Sequence, residues 1–251
     1  MAAGGAILPG VGAIEGTTTL VGLIGDPVSG SLSPRMQNAA FAARGLDWTY
    51  VALRVEHADL DAAVAGLVAL GFAGANVTTP HKASVISFCH ELDESAERAG
   101  SVNTLEIGDG RVVGSSTDAE ALDEVEARSA AVVGSGGAAA AWIAALEARN
   151  IPTETYSRRE AWPPRTHDVE LVVHATPVRD ELLFEPRAGQ TLIELAYLPD
   201  GRETAHVAAA RTAGARVIDG LEVLARQGAA SFERWTGVPA PLEVMRAAVR
   251  P

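Results

Sequence analysis

Lys82 is the only lysine in this chain of 251 residues, since 19 of its 20 basic residues are arginines. A lysine ammonium can be tuned by its surroundings to release and take up a proton, whereas an arginine guanidinium stays protonated. A position that keeps lysine in such a sequence therefore indicates proton chemistry. Chance placement of a rare residue is the alternative, and the residues around Lys82 must decide between the two.

Four polar segments lie in the first half of the chain. The first, residues 25–34, places hydroxyl groups at alternate positions before a helix start, an arrangement that can hold a carboxylate; simple capping of the helix by Ser33 is the alternative. Taken singly, each of the other three favours a turn over a site. These three are Asn76–Lys82, Ser101–Thr104 and Ser115–Asp118.

A glycine-rich segment follows the apolar run Ala130–Val133 and precedes an alanine-rich helix. Gly134 would allow a tight turn, Gly136 would let the backbone approach a pyrophosphate, and Ala139 is small enough for close helix–strand packing. Free N–H groups and the helix dipole then hold phosphates. The pattern predicts a dinucleotide site, with a strand–helix turn that binds nothing as the alternative.

The next predicted strand ends at Tyr156-Ser157-Arg158-Arg159. An acidic residue at this place would bind the ribose 2′-hydroxyl of NAD, whereas arginine pairs with the 2′-phosphate of NADP. The arginines therefore favour NADP over NAD. Glu160 is an unfavourable neighbour for a phosphate, and a solvated arginine pair is the alternative.

Short apolar strands alternate with alanine-rich helices along the chain, which predicts parallel sheets in two α/β lobes with a boundary near residues 117–129. The strands are expected at 20–25, 49–55, 74–78, 102–107, 111–114, 130–133, 153–156, 171–174, 191–195 and 216–218. The helices are expected at 34–44, 58–70, 83–92, from the glycine cluster to 149, at 205–213, 221–235 and 242–249. The two strands around Gly108-Asp109-Gly110 are expected to form a hairpin.

Composition excludes several classes of protein. The net charge of -12 argues against sequence-independent nucleic-acid binding. Cys89 is the only cysteine, so it can form no internal disulfide and is expected to be a structural thiol. The histidines are scattered, and no His, Cys and carboxylate residues have ligand spacing, so no metal is expected. No apolar run could span a membrane, and residues 1–16 predict a flexible leader rather than a secretion signal, which favours a cytoplasmic protein.

In their order, and ahead of a dinucleotide fold, the four polar segments resemble the shikimate dehydrogenase family. Residues 76–82 have the pattern Asn-Val-Thr-x-Pro-x-Lys, which is quite specific to that family. The segments Glu194–Pro199, Asp219–Gln227 and Phe232–Gly237 strengthen the resemblance, which runs from about Val21 to Gly237.

The resemblance implies a two-lobed α/β fold, with an N-terminal α/β substrate domain and a Rossmann-like dinucleotide-binding domain. The substrate domain would comprise residues 17–117 plus 219–251, and the NADP-binding domain residues 118–218. Lys82 and Asp118 would form the catalytic pair. The substrate-binding residues would be Ser31, Ser33, Thr78, Asn103, Tyr197 and Gln227, with the two serines on the shikimate carboxylate. The cofactor-binding residues would be Gly134, Ser135, Gly136, Gly137, Ala138, Ser157, Arg158, Arg159, Leu195 and Gly220.

The chain departs from the family pattern mainly in the second lobe. His174 replaces the asparagine before Ala175-Thr176-Pro177, and the glycine expected soon afterwards is missing. Residues 160–168 are too short and broken for the helix expected there. In the first lobe, Gln37 and Ser116 replace a histidine and an asparagine.

The expected activity is the reversible, NADP-dependent reduction of 3-dehydroshikimate to shikimate, in which Lys82 and Asp118 transfer the proton. The sequence does not divide the acid and base roles between them. One alternative is a dehydrogenase of the same family that acts on quinate or a related cyclic hydroxy acid. Another is a non-catalytic dinucleotide or metabolite sensor, against which the retention of both residues argues. The sequence leaves a homodimer open.

Overall fold

The computed structural model describes residues 14–250, which form two lobes built on separate β-sheets; most of the predicted leader, residues 1–16, lies outside them. The strands of the first sheet are β1 (Thr19–Gly25), β2 (Trp48–Arg54), β3 (Gly74–Val77), β4 (Glu91–Leu92), β5 (Thr104–Gly108) and β6 (Arg111–Ser115). Those of the second are β7 (Ala130–Val133), β8 (Thr153–Tyr156), β9 (Leu171–His174), β10 (Thr191–Glu194) and β11 (Arg216–Ile218).

The α-helices of the described chain are α1 (Ser33–Arg44), α2 (Leu60–Ala69), α3 (Glu94–Ala99), α4 (Gly137–Ala148), α5 (Ala205–Thr212), α6 (Gly220–Thr236) and α7 (Leu242–Val249). Three short 3-10 helices span His57–Asp59, Ser84–Phe88 and Glu120–Glu124. In this part of the chain, every helix is too short or too polar to cross a lipid bilayer.

The first sheet brings the polar segments to one edge. Its strand order is β2-β1-β3-β5-β6-β4, with β1 parallel to β2 and β3, and β5 antiparallel to β3 and β6. Because of these directions, the ends of β1, β3 and β6 lie beside the start of β5. The residues that follow or precede those ends, Ser31, Lys82, Asn103 and Asp118, therefore converge, although the chain separates them widely.

The second sheet is entirely parallel, in the order β11-β10-β9-β7-β8. The chain runs from β7 outward to β8 and then returns to β9 on the other side of β7. Such a reversal opens a crevice at the carboxyl ends of the strands, where parallel sheets bind ligands. As predicted, no helix forms at residues 160–168.

Helix α6 begins at the second lobe and packs on the first. The Asp219 carboxylate accepts a hydrogen bond from the Glu222 N–H at 2.9 Å, which caps its N-terminus, and Gly237 ends it in a left-handed conformation with φ 65°. Its buried Phe232 stacks on Phe41 of α1 with ring centroids 5.3 Å apart. Residues of α1, α6 and α7 thereby form the core on one face of the first sheet.

The chain passes between the lobes twice, once through the 3-10 helix Glu120–Glu124 and once at the start of α6. The two connections pack against each other. Arg226 of α6 forms an ion pair with Glu124, with Nη2 2.5 Å from Oε1. It also pairs with Glu222 on its own helix at 2.7 Å.

Two sequence-based predictions of local structure were wrong. Residues 83–92 form no continuous helix, because Glu91 and Leu92 pair with β6 and Asp93 then caps α3 by accepting the Ala96 N–H. Ser33 does not cap α1, since no side chain caps that helix and the Ser33 N–H donates instead to Ser31 Oγ at 3.2 Å. The first sheet combines parallel pairs with the antiparallel hairpin that the sequence also predicted.

The other predicted strands, helices and the hairpin of β5 and β6 are confirmed within a few residues. Cys89 is half-buried, and burial raises the pKa of its thiol to about 11. The thiol therefore remains protonated near neutral pH, as expected for a structural cysteine.

Candidate active site between the two lobes

A cavity of about 540 Å³ lies between the lobes at the carboxyl edges of both sheets. It brings together both predicted catalytic residues and all six predicted substrate-binding residues. Three predicted cofactor residues, Ala138, Leu195 and Gly220, also line it. The predicted catalytic and substrate-binding residues at its wall are Ser31, Ser33, Thr78, Lys82, Asn103, Asp118, Tyr197 and Gln227.

Lys82 and Asp118 form a direct ion pair in this cavity. The lysine Nζ lies 2.5 Å from Oδ2 and 2.8 Å from Oδ1, and the side chains are only 15% and 10% exposed. The Asn103 Nδ2 donates to the same carboxylate at 2.9 Å. An ammonium has three donors, so contacts with two carboxylate oxygens leave one for a ligand. The pair is thus oriented and mostly shielded from water, yet open to the cavity.

A buried hydrogen-bond network supports this pair from below. Asn76 Nδ2 donates to the Ser231 Oγ at 2.9 Å, and Asn103 Nδ2 donates to the Thr117 Oγ1 at 3.0 Å. The Thr117 N–H donates in turn to Asn103 Oδ1 at 2.8 Å. Sequence analysis assigned no role to Asn76, Thr117 or Ser231, although the first two lie in its polar segments. Buried polar groups that satisfy one another in this way fix a unique side-chain arrangement.

The serine segment is held close to the second lobe by Tyr197. The Leu32 N–H donates to the Tyr197 hydroxyl oxygen at 3.4 Å. Ser33 does not cap α1, and it lines the cavity wall beside Tyr50. Burial raises the pKa of the neighbouring Tyr50, so that its hydroxyl keeps its proton and donates to Asn76 Oδ1 at 2.9 Å.

Each of three glycines after β7 has a different local environment. Gly134 has φ 144°, and a Cβ there would lie 2.5 Å from the Ala175 carbonyl oxygen. A Cβ at Gly136 would meet no atom within 4 Å, whereas one at Gly137 would lie 2.7 Å from Ser101 Oγ and 3.1 Å from Lys82 Cβ. Gly134 and Gly137 therefore need glycine for packing, and the exposed Gly136 leaves the backbone open to a ligand. Open backbone at the start of α4 fits a pyrophosphate.

The predicted ribose-phosphate residues lie outside the cavity, at the end of β8. Ser157 is buried, whereas Arg158 and Arg159 are exposed. The Arg158 guanidinium carbon lies 5.6 Å from the centroid of the Trp162 ring, within range of a cation–π contact. Since β7 and β8 are parallel neighbours, these arginines and the glycine turn share one edge of the sheet. That arrangement suits the adenosine end of a dinucleotide.

Three buried side chains in the second lobe form a cluster that sequence analysis missed when it treated the histidines as scattered. Glu194 accepts hydrogen bonds from His174 Nδ1 and the Ala196 N–H at 2.9 Å, and His206 Nδ1 lies 3.9 Å from it. Burial, with the nearby His174, lowers the pKa of His206 to about 3, so that ring is neutral.

This cluster is better suited to hydrogen bonding than to holding a cation. His206 Nε2 accepts the Leu183 N–H at 2.9 Å, so the single ring proton of His206 must sit on Nδ1. That nitrogen then has no lone pair to offer a metal. The cluster joins β9, β10 and α5 beneath the segment that carries Tyr197.

Comparisons with known proteins agree with this geometry. The family models described as shikimate dehydrogenase substrate binding domain and shikimate 5′-dehydrogenase C-terminal domain match residues 23–105 and 220–250. The NADP(+) shikimate dehydrogenase of Desulforamulus reducens is 37% identical over 93% of this chain and 95% of its own length. That of an Anaeromyxobacter species is 39% identical, over 94% of this chain and 97% of its own length.

A solved structure extends the agreement to three dimensions. Shikimate 5-dehydrogenase from Thermus thermophilus, crystallised with NADP(H) and shikimate, superposes with a TM-score of 0.80 at 28% identity. The superposition covers 92% of this chain and 98% of that one. Sequence identity over almost the whole length, together with the shared fold, shows that this chain belongs to the shikimate dehydrogenase family.

Proposed function

We propose that this protein is an NADP-dependent oxidoreductase that reversibly reduces 3-dehydroshikimate to shikimate, a precursor of the aromatic amino acids. The observation that carries the proposal is the Lys82–Asp118 ion pair, 2.5 Å long and largely buried at the wall of a cavity between the lobes. A protein that only binds a metabolite does not need such a pair. The names of the full-length relatives support the same substrate and cofactor.

The cavity wall supplies groups for each part of a small cyclic hydroxy acid. Ser31 and Ser33 would donate hydrogen bonds to the carboxylate. Thr78, Asn103 and Gln227 would contact ring hydroxyls, and Tyr197 would close the cavity from the second lobe. Their hydroxyl and amide groups can donate and accept, as the hydroxyls of the substrate also can.

Proton transfer falls to Lys82 and Asp118. In the oxidation of shikimate, the reacting hydroxyl loses its proton to this pair while its carbon loses a hydride, so that a C=O bond forms. In the reduction, the pair returns a proton to the carbonyl oxygen. A positioned general acid or base of this kind is worth ~10²–10⁴ in rate. Asn103 would keep the Asp118 carboxylate in place throughout, because it donates to it at 2.9 Å.

NADP, when bound, supplies and accepts the hydride. The open backbone at Gly136, with Gly134, Ser135, Gly137 and Ala138, fits its pyrophosphate. The exposed guanidinium groups of Arg158 and Arg159, next to Ser157, fit its 2′-phosphate. Leu195 and Gly220 line the cavity from the second lobe and would contact the nicotinamide end.

The domain boundaries follow from the same assignment. Residues 17–117 and 219–251 would form the substrate domain, and residues 118–218 the NADP domain. We expect a cytoplasmic enzyme of small molecules with no nucleic-acid or membrane partner, in keeping with the net charge of -12. Light scattering of the purified protein would decide whether it is a homodimer.

One assay tests the proposal directly. Purified protein is incubated with shikimate and NADP, and NADPH is followed by absorbance, with quinate and NAD tested in parallel. Turnover that is fastest with shikimate and NADP is the expected result. Faster turnover of quinate would favour the related hydroxy-acid dehydrogenase, and binding of NADP without turnover of either acid would favour the sensor.

A further inference from the structure

Arg179 is a cavity residue that sequence analysis did not identify. It lies in the loop after β9, in the stretch where the chain departs from the family pattern. Its side chain is exposed and lines the same cavity as Ser31 and Lys82. Its carbonyl oxygen accepts the Ala205 N–H at 2.7 Å, which attaches the loop to the start of α5. The position of this arginine is thus set by the second lobe.

The charge of the cavity depends on this residue. Its charged lining residues are Lys82, Asp118 and Arg179, and the first two neutralise each other as an ion pair. Within residues 14–250, the Arg179 guanidinium makes no salt bridge or hydrogen bond. The cavity therefore presents one uncompensated positive charge, although the protein as a whole is acidic.

Arg179 lines the same cavity as the serine segment. The cavity that it lines includes Ser29 and Ser31, but not Gly134–Gly137 or Ser157–Arg159. Tyr197, which accepts a hydrogen bond from the Leu32 N–H, lines the same cavity from the second lobe. Arg179 therefore shares one cavity with the hydroxyl-bearing residues Ser31 and Ser33.

We propose that Arg179 is a specificity-determining residue that binds the substrate carboxylate from the second lobe, opposite Ser31 and Ser33. This inference rests on the proposed function, since it concerns the same cavity and the same acid. Serine hydroxyls can also bind the hydroxyl groups of a neutral polyol, whereas a guanidinium adds an opposite charge and two parallel N–H donors that match a carboxylate. Arg179 would thereby select cyclic hydroxy acids, and the bound carboxylate would link the two lobes.

The test compares shikimate with its uncharged methyl ester in the wild type and in Arg179→Gln. We expect the KM for shikimate to rise about tenfold, the lower end of the effect of a charged hydrogen bond, because the guanidinium is exposed. The KM for the ester and the KM for NADP should stay unchanged. Arg179→Lys, which keeps the charge but loses the planar fork, should give an intermediate KM for shikimate.

Arg202→Gln is the matched control. Arg202 lies nearby in the same lobe, is 73% exposed and pairs with Asp200 at 2.7 Å, but does not line this cavity. Its loss should leave both KM values as in the wild type. An effect as large as that of Arg179→Gln would mean that general surface charge, and not a contact with the carboxylate, attracts the acid.

Two other results would overturn the proposal. An equal rise in KM for the acid and the ester would show that Arg179 does not sense the carboxylate, and a rise confined to NADP would assign it to a cofactor phosphate. Calorimetric titration of both ligands into the wild type and Arg179→Gln makes the same comparison without turnover. If the wild type fails to oxidise shikimate, the proposed function fails, while the titration still decides the role of Arg179.

Discussion

In the first lobe, polar groups at and beneath the cavity are buried and bonded to one another, whereas several second-lobe groups expected to hold the cofactor, such as Gly136 and Arg158, are exposed. Asn103 and Thr117 are 2% and 1% exposed and bind each other. Gly136 and Arg158 lie at the surface and are positioned by the backbone or by an aromatic neighbour. The reacting groups are therefore preorganised, and the cofactor side tolerates more change, which matches the concentration of sequence departures there.

Replacement of Lys82, one of the preorganised reacting groups, should have the largest effect on turnover. Lys82→Arg keeps the charge but not the exchangeable proton, so kcat should fall by ~10²–10⁴ while the KM for shikimate changes modestly. Steady-state kinetics with NADP measures both. Arg98→Lys, at an exposed surface pair with Glu94, is the control and should behave as the wild type. Near-normal turnover in Lys82→Arg would remove this residue from the chemistry.

Two neighbouring glycines allow the reacting groups and the cofactor side to be tested separately, because Gly137 packs against the first lobe and Gly136 does not. Gly137→Ala places a methyl group against Ser101 and the Lys82 stem, so kcat should fall on the order of tenfold to a hundredfold through a misplaced lysine. Gly136→Ala meets no protein atom and should instead weaken NADP binding, measured by fluorescence titration.

A second change sharpens that comparison. Ser101→Gly removes the hydroxyl that lies 2.7 Å from the added methyl group, so it should restore part of the turnover of Gly137→Ala. If Gly136→Ala and Gly137→Ala impair binding and turnover alike, the two glycines share one role and the distinction is wrong.

Arg158→Ala tests whether the exposed arginines at the end of β8 bind the cofactor. Loss of its guanidinium should weaken NADP binding about tenfold, as expected for a charged hydrogen bond to phosphate, and leave NAD binding unchanged. Arg128→Ala, at a side chain 90% exposed and paired with Glu170, is the control in the same lobe. Equal weakening of NADP and NAD would reject a contact with the 2′-phosphate.

The smallest expected effect concerns Glu222, on the helix that connects the lobes. Burial raises the pKa of this carboxyl, but hydrogen bonds and charge from Arg246 and Arg226 outweigh burial, so the pKa is lowered. Its carboxylate therefore stabilises the fold above the carboxyl pKa of the unfolded chain, and this stability is lost as the pH falls through the lower pKa of the folded state.

Thermal melts of Glu222→Gln check this sign. At pH 7 the Tm should fall by about 2–4 °C, which corresponds to about 1 kcal/mol in a chain of this size, and the difference should shrink below pH 4. Glu243→Gln, at a partner of Arg246 that is 84% exposed, should change the Tm less. A difference that stays constant from pH 7 to pH 3 would show that packing, not charge, is responsible.

Elements with a strong local signal could be predicted from the sequence. The hairpin at Gly108-Asp109-Gly110 and the strand–glycine–helix of β7 and α4 form as their turn residues require. The specific pattern of residues 76–82 and the isolated lysine led to Lys82, and the structure places Asp118 beside it although 36 positions separate them.

The remaining features depend on contacts between distant parts of the chain. Strand β4 is only two residues long and exists because β6 lies beside it, so periodicity could not reveal it. The cluster around Glu194 forms because β9, β10 and α5 meet, and its members have no common spacing in the sequence. Arg179 lies in an irregular loop, where neither a strand nor a helix pattern indicates the direction of a side chain.

The paired connections between the lobes have a mechanical consequence. The 3-10 helix Glu120–Glu124 and the start of α6 lie side by side, and Arg226 fastens one to the other. Two adjacent connections, unlike a single linker, resist twisting of one lobe against the other. They allow the lobes to rotate about one shared axis. We therefore expect any change in the width of the cleft to follow a single path, which would bring Lys82 back to its place beside Gly137.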